Sequence, residues 1–129
     1  MKKYDNFCKA LENLKECEKL SEPYSTVERA GIAALFSVCF EQSWKLIKER
    51  LGRGGLMPSA DSPGMIIRAA HGGGMIESRD LWNEILELRN SFVHFLDYDS
   101  DTAKNAALKI IREYISAFEE LKRSIDKIG

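Results

Sequence analysis

The sequence predicts an all-α fold, an up-and-down four-helix bundle with one additional short helix. Three observations carry that reading. Apolar residues recur every three or four positions through most of the chain, as one helix face requires. No segment alternates polar and apolar residues as a half-buried strand would, and β-branched residues are sparse. Prolines and the clustered glycines, Gly52 to Gly55 and Gly72 to Gly74, fall between or at the ends of the periodic segments.

The first helix is expected from about Tyr4 to Leu20, with Tyr4, Phe7, Cys8, Leu11 and Leu14 on one face. Pro23 breaks the pattern, and Ser25-Thr26-Val27-Glu28 has the spacing of a capping box. The second helix should run from about Thr26 to Leu51. Its middle, Ala30 to Phe40, is apolar nearly all round and is expected to be the most buried element, with Trp44 and Ile47 inward beyond it. Gly52-Arg53-Gly54-Gly55 ends it.

The short helix is expected after Ser62-Pro63, where serine caps and proline takes the first helical position. It would turn Met65, Ile66, Ala69 and Ala70 inward and stop at Gly72-Gly73-Gly74. A fourth helix begins at Ser78 or Arg79 and carries Leu81, Trp82, Ile85, Leu88, Phe92 and Phe95. After a turn at Asp97 to Asp101, a last helix from about Thr102 to Lys127 bears Ala103, Ala107, Ile110, Ile111, Tyr114, Phe118, Leu121 and Ile125.

The bulk properties narrow the class. A chain of 129 residues without a repeat or a linker is expected to be one domain, residues 1–129. With 44% hydrophobic and 30% charged residues it can build a core without staples. A net charge of −1 provides no global field to gather nucleic acid, so any such contact needs a local patch. Cys8, Cys17 and Cys39 form no CxxC pair and read as small thiols of a reducing compartment. No apolar signal core follows the N-terminus, and the longest apolar stretch is well short of the roughly 20 residues a bilayer span requires. A cytoplasmic location and no membrane are expected.

The candidate chemistry is narrow. Two histidines, His71 and His94, fall in different elements, with no HExxH or paired-cysteine spacing, so no metal is expected. The glycine-rich corners lack the lysine and flanking strand of a phosphate loop, so no cofactor is expected either. What remains is Arg89-Asn90-Ser91-Phe92-Val93-His94 in an otherwise apolar helix. Asn90 and His94 share a face, whereas Arg89 lies about 140° around from His94. The three reach one cleft if it is wide or if a second copy of the helix faces the first. On spacing alone the stronger reading is a polar cluster bonding neighbouring helices.

The types fit metal-free RNA cleavage. Histidine titrates nearest neutrality and can take and return the 2′-hydroxyl proton. Arginine supplies a permanently charged fork for the phosphorane, and asparagine can position the imidazole or a phosphate oxygen.

In context these residues form a resemblance. The stretch Ala34 to Lys48, ALFSVCFEQSWKLIK, resembles the FE…W-K-x-x-K helix of the nucleotidyltransferase substrate-binding-like family, a branch of the HEPN superfamily. Ser62-Pro63 with Ile67-Arg68-Ala69-Ala70, the Gly74-Met75-Ile76 corner, and Trp82 seven residues before Arg89-Asn90 are also similar. The similarity runs from about Tyr4 to Leu121.

The resemblance implies a homodimeric bundle in which the Arg-Asn and His elements of both protomers face one cleft. It also implies a minimal nucleotidyltransferase encoded nearby as partner. In the toxin–antitoxin branch the helical protein is a metal-independent ribonuclease, silenced when the transferase adenylylates a tyrosine. An older reading makes it the non-catalytic substrate-binding subunit of the transferase. By position, Arg89, Asn90 and His94 correspond to the catalytic motif, acting on RNA or a nucleotide. The branch has tyrosine two residues after the histidine, where this chain has Leu96, and Tyr98 is displaced by two. Glu41 and Lys45 form an i,i+4 pair that either lines the cleft or simply supports the helix. Arg68 and His71, on one face of the short helix, are candidates to extend a basic rim.

Overall fold

The computed structural model describes residues 2–58, 62–91 and 100–128. Its helices are α1 (Lys2–Lys15), α2 (Thr26–Arg53), α3 (Pro63–Gly72), α4 (Arg79–Ser91), α5 (Asp101–Lys109) and α6 (Ile115–Ile128). A π-helical turn, Ile110–Tyr114, joins α5 to α6 without interruption, giving the continuous last helix the periodicity predicts. Among the described residues there is no strand. The fold is all-α.

Serine starts four of these helices, because its hydroxyl satisfies an N–H group that has no intrahelical acceptor. At α2 the capping box is complete. Ser25 Oγ accepts from Glu28 N at 3.1 Å, and the Glu28 carboxylate accepts from Ser25 N at 2.8 Å. Ser62 accepts from Met65 N at 3.4 Å, Ser78 from Leu81 N at 3.1 Å and Ser100 from Ala103 N at 3.2 Å. At the end of α3 the chain reverses through Gly74, whose φ of +79° an L side chain rarely adopts.

Boundaries and facing differ from expectation in several places. Helix α1 stops at Lys15 and tightens into a 3₁₀ turn, Glu16–Lys19, which turns Cys17 into the core. On α3 it is Ile66, Ile67 and Ala70 that are buried, so the face is rotated and Met65 lies at the surface. Trp44 and Ile111 are only half-buried.

The middle of α2 is not buried all round. Ile32, Ala33, Phe36, Cys39 and Phe40 face inward, but Gly31 and Ala34 are exposed and Val38 is 51% exposed. The reason is geometric: α1, α3, α4 and α5 pack against this helix from one side, and a helix surrounded on one side covers only that face.

Helix α1 lies antiparallel to α6, with the Tyr4 hydroxyl donating to Asp126 near one end and Lys15 Nζ 3.0 Å from Glu119 toward the other. The core centres on Phe118. Its ring meets Phe7 of α1 at 6.4 Å, Phe36 of α2 at 6.0 Å and Trp82 of α4 at 5.5 Å between centroids. These are the edge-on and tilted contacts that aromatic quadrupoles favour.

Three buried polar side chains were not foreseen. The Arg29 guanidinium donates to the carbonyl of Tyr24 and, at 3.2 Å, to Thr26 Oγ1. Ser43 returns its hydroxyl to the Phe40 carbonyl at 2.7 Å. Arg50 lies 6.0 Å over the Tyr4 ring. All three cysteines are free, with Cys17 and Cys39 buried and Cys8 half-buried.

Candidate functional site

The last turn of α4 carries the residues of interest because the helix changes character there. Its inward positions, Trp82 and Ile85, give way to Arg89, Asn90 and Ser91 at the C-terminal end. Ser91 closes the turn by donating its hydroxyl to the Leu88 carbonyl at 2.9 Å. Asn90 is exposed.

Arg89 does not stand alone. Its Nη2 lies 3.3 Å from Oε2 of Glu41 on α2, with the two side chains 32% and 50% exposed. The bond joins residues 48 positions apart and ties the end of α4 to the middle of α2. At such exposure the pair contributes at most about 1 kcal/mol, because water screens it. Lys45 is exposed on the same face of α2, one turn beyond Glu41. On the same helix Trp44 stacks on Phe40 at 5.7 Å and 20°.

The structure therefore gathers Glu41 and Arg89, with Asn90 and Lys45 adjacent to them along their helices. His94, Leu96 and Tyr98 lie outside the described residues. Arg68 and His71 are both exposed on α3, as expected for one face. Among the described residues no hydrogen bond or ion pair joins either of them to the Glu41–Arg89 pair. Nor does any group of three or more His, Cys, Asp or Glu side chains there come together to hold a metal ion.

A second polar cluster was invisible to the sequence. The Tyr114 hydroxyl donates to Glu84 Oε1 at 3.2 Å, and Lys109 Nζ approaches the same oxygen at 3.1 Å. Burial first, and then the Glu84 charge, push the Tyr114 hydroxyl well above the ordinary tyrosine range. The Glu84 carboxylate raises the Lys109 ammonium in turn. Tyr114 lies in the π-helical turn Ile110–Tyr114, and both it and the following Ile115 are buried. Nothing local in the sequence signals a turn of that kind.

Fold and surface together define an all-helical bundle with an arginine–carboxylate pair where the end of one helix meets the middle of another. The chain belongs to a family: its sequence matches, over residues 2–127, the model of proteins described as nucleotidyltransferase substrate binding protein like. Among solved structures it is similar to a crystal structure of a protein from Thermus thermophilus. That likeness has a TM-score of 0.73 and 26% identity, and covers 89% of this chain and 94% of that one. No curated protein matches. Placement in the HEPN superfamily is consistent with both findings.

Proposed function

We propose that this protein is the helical subunit of a two-component system with a minimal nucleotidyltransferase. It acts as a homodimer in the cytoplasm, and its working surface surrounds Arg89. Within that reading it is a metal-independent ribonuclease. His94 is the general acid/base, Arg89 stabilises the phosphorane and Asn90 positions the reacting groups. Glu41 and Lys45 line the cleft, with Arg68 and His71 on its rim. The observation that carries the reading is the placement of Arg89. It stands at the surface on the last turn of α4, held by Glu41, with Asn90 beside it. No helix among the described residues is long and apolar enough to cross a membrane.

The test is cleavage of a mixed RNA pool in EDTA by purified wild type and His94→Ala. Loss of cleavage in the variant, with 2′,3′-cyclic phosphate ends in the wild type, is the expected outcome. Equal cleavage by both would trace the activity to a contaminant and end this reading.

A second reading is favoured by two observations. The Arg89 charge is already met by Glu41, and Leu96 stands where the toxin branch has its modified tyrosine. In this reading the protein docks the transferase and holds its substrate without cutting anything. It then co-purifies with the transferase when the two are co-expressed, and a failure to associate rules it out.

A further inference from the structure

The Glu41–Arg89 pair is a contact that breaks easily, and we infer that Glu41 is an internal competitor, displaced when a doubly charged phosphate takes Arg89. The inference rests on the reading of Arg89 as a phosphate-binding group and assigns Glu41 the opposite role to a ligand. Three features carry it. First, the contact is single and long: one arginine nitrogen meets one carboxylate oxygen at 3.3 Å. Strong charge-assisted bonds run to roughly 2.7–2.9 Å and often use two nitrogens of the fork. Second, both side chains reach water, at 32% and 50% exposure, so separating them buries no charge. Third, Lys45 is exposed one turn along α2 from Glu41, which gives the displaced carboxylate another cation at i,i+4 spacing.

Charge then decides what can displace it. A phosphodiester has one negative charge, like the carboxylate, so that exchange gains little. A terminal phosphate carries about −1.5 to −2 at neutral pH and can engage the fork through two bonds. The resting site therefore selects terminal phosphates, whether of a nucleotide or of a 5′-phosphorylated RNA end, over internal ones. The same competition suits the proposed cleavage, since a doubly charged phosphorane would displace Glu41 where the ground-state diester does not.

The experiment is a set of calorimetric titrations of the full chain at low salt. The probes are adenosine 5′-monophosphate, 5′-phosphorylated tetraadenylate and, as a singly charged control, 3′,5′-cyclic adenosine monophosphate. Glu41→Gln should tighten the 5′-phosphate probes roughly two- to fivefold, the strength of an exposed pair. It should also narrow their advantage over the cyclic probe. Arg89→Ala should weaken the same probes by about tenfold or more. The tighter of the two 5′-phosphate probes identifies the source of the phosphate. If Arg89→Ala binds like wild type, the reading of the site itself fails. If Arg89→Ala loses binding while Glu41→Gln is equal to or weaker than wild type, the competitor fails and Glu41 is a positioning residue.

Discussion

The Tyr114 hydroxyl sits in the core against Glu84, and two more tyrosines share its character. Tyr4 donates to Asp126, which holds its proton on, with burial adding to the effect. Tyr24 is raised by burial and then by the charge of Glu22. All three therefore keep their protons in the folded protein at a pH where the unfolded chain, near the ordinary value of 10.0, gives them up. Ionisation then favours the unfolded state, so stability is intact below about pH 10 and falls as pH rises above it. Urea denaturation at pH 8 and at about pH 11 should show a lower midpoint at the higher pH. Replacing Tyr114 by Phe should cost about 1 kcal/mol at neutral pH, the worth of one hydrogen bond, and flatten the alkaline loss. An unchanged alkaline slope in that variant would mean Tyr114 is not among the groups responsible.

Helix α2 owes its start to two bonds made by Ser25 and Glu28, and these were legible as spacing alone. Ser25→Ala removes the side-chain acceptor and returns the Glu28 N–H to water. The expected loss is about 1 kcal/mol in chemical denaturation, without change in the core. A neutral result would mean water caps this end equally well. The other face of α2 was misjudged for a related reason. A run of apolar residues states what can be buried, but the number of helices that pack against it decides what is. Val38 stays at the surface because the helices touching α2 share one side.

Packing converges on Phe118, fully buried between Phe7, Phe36 and Trp82. Its ring is in contact with three other helices, so truncation leaves a cavity none of them can close alone. Phe118→Ala should lose about 3–5 kcal/mol, a large share of the roughly 5–15 kcal/mol of a typical domain. Trp82 reports it directly, because its indole meets the Phe118 ring edge-on at 5.5 Å and 83°. The variant's Trp emission should shift to the red at lower urea than wild type. An unshifted midpoint would show that the neighbouring rings collapse into the space.

What the sequence alone determined is local or periodic. Helix starts follow from serine hydroxyls one turn from an N–H group, and the inward stripes of α1, α4 and α6 follow from the 3.6-residue repeat. The family was legible for the same reason, as short ordered patterns within single helices. Tertiary structure alone decided which distant residues meet. The Arg89–Glu41 and Tyr114–Glu84 contacts join side chains 48 and 30 positions apart, and no spacing rule couples such residues. The π-helical turn, the rotated face of α3 and the exposed face of α2 were likewise settled by neighbours. A helix knows its own periodicity, but its orientation is set by the surfaces it is packed against.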